Sequence, residues 1–244
     1  MKTMYGILNW NNNYEKTLQS IKAPAEDIVL CTNGAIYEGF PYGAISADSS
    51  VAVSKNKIIE FARSKGAEKL FILEDDIEVV DMDIFNKYSS IMDILDQGVL
   101  YYGYNNNKDN KVYDMPNPAL MVRVSDTFGE LYFNRFIVTS CIGFDLVKNP
   151  LLFDEDLQLL EITEYLYRCS ASGVIKTGNG FYVDYPESWK YFNSVEVSHK
   201  RPKTQQMIDS DRKKLQDKNI KMTVDMTVNK LVDYLKSIEF PEKI

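Results

Sequence analysis

Leu70-Phe71-Ile72-Leu73-Glu74-Asp75-Asp76-Ile77 is the stretch from which the chain is best read. Four apolar residues in a row suit a strand buried on both faces, as strands are in a sheet covered by helices. Three carboxylates then follow without a break. Adjacent negative charges repel one another, and crowding them costs free energy unless a cation is near. In open α/β sheets ligands bind at the carboxyl ends of the strands, where this cluster falls. Hard carboxylate oxygens there suit Mg²⁺ or Mn²⁺, and such an ion can hold a diphosphate and stabilise it as a leaving group. Taken alone, the triplet reads equally as a solvated acidic turn.

On either side, strand and helix patterns alternate, the signature of a parallel or mixed sheet with helices on its faces. Strands are expected at residues 4–8, 27–31, 69–73, 99–104, 119–124 and 136–139, with polar loops at 105–110 and 126–129. Helices are expected near 14–21 and over 51–64, the latter with Gly66 at its C-cap. Ile84, Phe85, Tyr88, Ile91, Met92 and Leu95 trace one face of another helix, stopped by Gly98. Residues 159–169 read as helical with Gly173 beyond the end. The segment from Thr204 onward reads as two helices, the second carrying Val228, Leu231, Val232, Leu235 and Ile238 on one stripe. There is no internal repeat and no low-complexity linker.

The chain has 244 residues, 45% hydrophobic and 26% charged, which fits one large α/β domain with a helical appendage rather than a disordered chain. No apolar run approaches the roughly 18 residues that cross a bilayer. The opening apolar strand is interrupted by Asn11, Asn12 and Asn13, unlike a signal peptide, so a cytoplasmic protein is expected. Cys31, Cys141 and Cys169 are odd in number, lie in apolar stretches and lack metal-ligand spacing, so they read as core thiols. A net charge of −7 disfavours non-specific binding to a polyanion. Abundant Asn, Lys, Tyr and Ile hint at an AT-rich genome such as a phage's, which would make the compartment the host cytoplasm.

Glu74-Asp75-Asp76 after an apolar strand resembles the Asp-x-Asp-type motif of glycosyltransferases with the GT-A fold, particularly the family-2-like inverting enzymes. The resemblance runs over most of residues 4–200 and implies a Rossmann-like mixed sheet with helices on both faces and a C-terminal helical tail. It implies a catalytic domain over 1–203, with a nucleotide-sugar half at about 1–100 and an acceptor half at about 101–203, and a helical extension over 204–244. By the resemblance Asp76 is the metal ligand, Asp75 its neighbour and Glu74 their support. Asn9 lines the nucleotide at the end of the first strand. Cys31-Thr32-Asn33-Gly34 keeps the family's Asn-Gly turn at Asn33, with Thr32 where an acid often reads uracil. Lys55-Asn56 matches a basic residue and Asn in the helix before the acidic motif, with Ile58 where the family has Gly, and the resemblance implies that the pair binds the donor; alone, it reads as a solvated helix face.

A second match joins Cys141-Ile142-Gly143-Phe144, then Leu152-Phe153-Asp154-Glu155-Asp156-Leu157, then Glu161-Ile162-Thr163-Glu164 with Arg168 and Gly173. It resembles the family's acceptor-site stretch, in which the catalytic base aligns here with Ile162, a residue incapable of proton chemistry. Glu161 and Glu164, three apart, share one helix face, and either can serve as the carboxylate base that inversion needs. The competing reading makes both solvated or salt-bridged helix charges.

His199 is the only histidine. By strand alternation it is a half-buried structural residue; by the resemblance it completes the metal shell. Lys200, Arg201 and Lys203 follow, a basic run that can neutralise a diphosphate. Of the aromatic residues, Trp189 is the candidate for stacking on an acceptor. The expected activity is transfer of a sugar from a nucleotide-diphosphate sugar, with Mn²⁺ or Mg²⁺, to a glycan, a lipid-linked sugar or a hydroxymethylated DNA base. The alternatives are a nucleotidyltransferase, disfavoured because no Gly-rich phosphate loop occurs, and a non-catalytic nucleotide-sugar-binding module, motivated by Ile162.

Overall fold

The computed structural model describes residues 1–9, 14–33, 44–47, 50–75, 77–102, 105–106, 111–112, 120–125, 129–133, 141–176, 181–183, 189–191 and 202–220. The first half of the chain gives strands Thr3–Asn9 (β1), Ile28–Asn33 (β2), Ala44–Ala47 (β3), Lys69–Glu74 (β4) and Ile77–Val79 (β5). Between them stand helices Tyr14–Ser20 (α1) and Val51–Ser64 (α2), and Asp83–Ile94 (α3) follows. Next come Val99–Tyr102 (β6), Asn105–Asn106 (β7), Lys111–Val112 (β8), Leu120–Ser125 (β9), Gly129–Phe133 (β10) and Cys141–Asp145 (β11). Helix Glu161–Ala171 (α4), strands Phe181–Val183 (β12) and Trp189–Tyr191 (β13), and helix Pro202–Asp217 (α5) complete the order.

The main sheet runs β3-β2-β1-β4-β11-β6-β12-β10-β9. Strands β1, β2, β3 and β4 are mutually parallel, whereas β11 lies antiparallel between β4 and β6. The apolar run of β4 is explained by this central place. Leu70 and Ile72 pack with Ile58, Ile59 and Ala62 of α2 and with Ile162 and Leu166 of α4. Phe71 and Leu73 point the other way, to Ile84, Phe85, Tyr88 and Met92 of α3. With helices on both faces, alternation between polar and apolar is lost and every side chain from Leu70 to Leu73 is buried. That burial contributes roughly 1.5–3 kcal/mol per side chain. Gly143 of β11 is small for a related reason: a Cβ there would stand 2.8 Å from Phe71 Cε1.

Helix α2 has the expected bounds. Ser50 caps it by accepting from the Val53 N–H at 3.2 Å, and Gly66 turns the chain at φ +72, where a Cβ is strained. Helix α3 departs from expectation at its end. The left-handed residue is Asp96, at φ 45, not Gly98. Gly98 is small because a Cβ would meet Val174 Cγ1 at 2.5 Å. Strands β3, β5, β10, β11, β12 and β13 form where no strand was expected, and residues 105–110, expected as loop, contribute β7 to a small ladder with β8. The expected strand at 136–139 and the second tail helix lie outside the described residues. All three cysteines are free and buried, as core thiols should be. Among the described residues no helix is long and apolar enough to cross a membrane.

Candidate active site at the carboxyl edge of the sheet

Parallel pairing places the ends of three strands side by side. Leu8 stands opposite Glu74, and Asn9 opposite Thr32. Asn9, Asn33, Glu74 and the following Asp75 therefore share the carboxyl edge of the sheet. Cys141, at the start of β11, pairs with Leu73 and brings the antiparallel strand's beginning to the same edge. This edge is polar yet enclosed: Asn9 is 4% exposed, Thr32 1% and Asp75 3%. A carboxylate so buried is costly unless bonds or a cation compensate it. The chain leaving the acidic segment is fixed by β5, whose Ile77, Glu78 and Val79 pair with Tyr191, Lys190 and Trp189 of β13. Helix α1 adds Lys16 to Glu78 at 2.9 Å and accepts the Val79 N–H on Ser20 Oγ at 2.9 Å.

Beneath this edge, α2 and α4 are joined by polar side chains. Strand β3 ends at the edge, with Ala47 opposite Asn33, and α2 begins at Val51. Lys55 thus lies about 6 Å along the axis from the first helical residue. Its ammonium donates to Glu161 Oε1 at 2.9 Å and sits 5.1 Å from the centre of the Phe153 ring. Neither partner is solvated: the side chains are 1% and 6% exposed. Asn56 donates to Phe153 O at 2.9 Å, accepts from Phe153 N at 2.7 Å, and donates to Glu155 at 2.9 Å. The Lys55-Asn56 pair is therefore not a solvated face; Lys55 fastens the first residue of α4 and Asn56 the segment before it.

Glu164 is held by Arg168, whose Nε and Nη2 donate to Oε1 and Oε2 at 2.5 and 2.7 Å, while Nη2 also donates to Leu152 O. Burial alone would lower the Arg168 guanidinium, but the hydrogen bonds and charge of Glu164 outweigh it, so it is raised. Both glutamates are thus salt-bridged, as the structural alternative held. They differ in one respect. Both oxygens of Glu164 are engaged, whereas Glu161 Oε2 is buried without a hydrogen-bond partner among the described residues. Ile162, at the family's base position, packs in the apolar layer between α2, α4 and the sheet.

Among the described residues no group of three or more His, Cys, Asp or Glu side chains is arranged to hold a metal ion. Asp76, His199, Lys200 and Arg201 lie outside the described residues, and of Asn33 and Trp189 the structure gives the strand positions. The bracing role of Asn56 was missed because a hydrogen bond to a backbone 97 residues away leaves no local pattern.

The architecture is the GT-A-like α/β fold of glycosyltransferases, with a mostly parallel first half and the candidate site at its carboxyl edge. Similar solved structures include residues 1–349 of S. aureus TarS with UDP, at 11% identity and TM-score 0.55, covering 96% of this chain and 71% of that one. Another structure of TarS 1–349 has TM-score 0.50 at 11% identity and covers 79% and 60%. The mannosyltransferase PcManGT from Pyrobaculum calidifontis, with GDP-Man and Mn²⁺, gives TM-score 0.50 at 12% identity and covers 81% and 58%. The chain thus spans about three fifths of the length of two of these structures. No protein-family model matches the sequence, and no curated protein matches it.

Proposed function

We propose that the protein transfers a sugar from a nucleotide-diphosphate sugar to an acceptor hydroxyl, with inversion at the anomeric carbon. The observation that carries this reading is that buried Asp75 follows β4 at the carboxyl edge of a GT-A-like sheet, the edge that also carries buried Asn9 and Thr32. Structures of similar fold hold UDP-GlcNAc, UDP, or GDP-Man with Mn²⁺. In this reading Asn9 and Asn33 line the nucleotide. Asp75 and Asp76, supported by Glu74 and joined by His199, would hold Mn²⁺ or Mg²⁺, and their hard oxygens suit either ion. When bound, the ion supplies positive charge that compensates the diphosphate. Lys200, Arg201 and Lys203 add cationic partners for the phosphates.

Glu161 is the proposed base, because its Oε2 is the carboxylate oxygen of the pair that has no hydrogen-bond partner among the described residues and so keeps its capacity to accept a proton. Lys55, paired to Oε1, orients that carboxylate. The acceptor hydroxyl loses its proton to Oε2 as its oxygen attacks the anomeric carbon, and the nucleoside diphosphate leaves from the opposite face. A glycan or lipid-linked sugar is the acceptor class, with a hydroxymethylated DNA base as the alternative. A second reading, a nucleotide-sugar-binding module without turnover, draws on Ile162 and on the salt bridges at both glutamates.

Incubation with Mn²⁺ and a panel of nucleotide sugars separates the two. Release of nucleoside diphosphate, lost in Glu161→Gln, is expected for the transferase. Metal-dependent binding with no turnover on any acceptor would leave the module.

A further inference from the structure

Helix α4, which presents Glu161, begins without a cap of its own. Its N-cap residue is Leu160, whose side chain cannot accept a hydrogen bond, so the start of the helix is held through the turn that precedes it. That turn is held by Asp211 of α5. It is fully buried, and its Oδ2 accepts from the N–H groups of Gln158, Leu159 and Leu160 at 2.9, 2.7 and 3.0 Å. A carboxylate at this place also opposes the positive end of the helix dipole. Lys214 Nζ stands 3.8 Å from the other oxygen, Oδ1.

The neighbours of Asp211 extend the clamp. Lys214 donates to Asp156 O, Lys218 pairs with Asp154, and Leu215 is fully buried. Asp211, Lys214 and Lys218 are spaced as one helical stripe, and all three meet the segment leading into α4. From the opposite side Asn56 grips the same segment at Phe153 and Glu155. The segment is therefore fixed between α2 and α5, and it ends at Glu161.

We propose that Asp211 is a positioning residue for Glu161, so that α5 is part of the transferase apparatus rather than an appendage. This rests on Glu161 being the base. Held by Lys55 at its tip and by Asp211 through the backbone just before it, the Glu161 carboxylate has one placement; releasing the backbone anchor lets it drift. Misplacement of a reacting group by about 1 Å costs on the order of 10²-fold in rate.

The test is a double-mutant cycle on the full chain with Glu161→Gln, Asp211→Ala and the combination, reading kcat and the donor KM from nucleoside diphosphate release. Asp211→Ala is expected to lower kcat on the order of 10²-fold with the donor KM unchanged, and to add nothing in the Glu161→Gln background. Asp211→Asn, which keeps an oxygen for the three N–H groups, should recover about tenfold of the loss and covers the case in which the alanine variant fails to fold. Faster hydrogen exchange at the amides of 158–160 should accompany the loss. Independent, multiplying effects of the two substitutions, or full kcat in both Asp211 variants, overturns the proposal and leaves the base assignment standing. Full turnover in Glu161→Gln alone removes the base assignment, and the proposal with it.

Discussion

Replacing Lys55 by Met tests whether the α2–α4 junction is held as described. The Lys55 side chain is 1% exposed and its ammonium lies 2.9 Å from Glu161 Oε1, while Glu161 Oε2 has no partner among the described residues. Removing the cation leaves a buried carboxylate with neither oxygen satisfied from the α2 side. Breaking a buried pair in this way costs roughly 3–5 kcal/mol. For a chain of this size each kcal/mol moves Tm by about 2–4 °C, so the variant should melt roughly 6–20 °C below the parent. The double variant Lys55→Met with Glu161→Met removes both charges and fills similar volume, so its stability should return to within about 1 kcal/mol of the parent. Thermal and urea unfolding followed by far-UV circular dichroism give the Tm and the stability respectively. A Lys55→Met protein as stable as the parent, or a double variant as weak as the single one, refutes the reasoning. The double variant also separates structure from chemistry: it should be folded yet devoid of sugar transfer.

Asn56→Ala should orphan the buried N–H and C=O of Phe153 together, at about 1–3 kcal/mol for each group, again measured by urea unfolding. Burial pushes the Cys169 thiol up from 9.0 to about 12 and raises Cys31 as well, so both should resist alkylation at pH 8 until urea is added. The same shift makes stability depend on pH in the alkaline range. Unfolded thiols lose their protons first, so the unfolded state binds fewer protons and stability should fall as pH rises from about 9 to about 12. The limiting slope is roughly 1.4 kcal/mol per pH unit for each thiol. Tyr165, raised well above its usual value by burial, steepens the loss above pH 10. A flat stability profile across that range would contradict the buried placement of Cys169.

The central architecture was legible because its signals were local. The β4 run is apolar on both faces, α2 carries its stripe from Val51 and closes at Gly66, and the acidic triplet marks the strand's carboxyl end. Strand β11 escaped recognition because Cys141-Ile142-Gly143-Phe144 was absorbed into an acceptor-site match, and a short, wholly buried strand has no alternation to betray it. The end of α3 was misplaced because Gly98 and Asp96 are both turn residues. Asp96 takes the positive φ, while Gly98 leaves room for Val174, a contact that no local pattern encodes. At the candidate site, the spacing of Glu161 and Glu164 was readable, but their partners were not. Lys55 lies 106 residues from Glu161, and Asp211 lies 51 residues beyond Leu160. Such long-range pairs are set by the packing of α2, α4 and α5, and the charge pattern of α5 alone reads as an ordinary polar helix.

Titration calorimetry of the full chain with UDP- and GDP-sugars, with and without Mn²⁺, probes the carboxyl edge most directly. The account predicts metal-dependent binding of at least one nucleotide sugar by the parent protein, abolished by Asp76→Ala. Absence of binding to every nucleotide sugar, or binding that Asp76→Ala leaves intact, would contradict it.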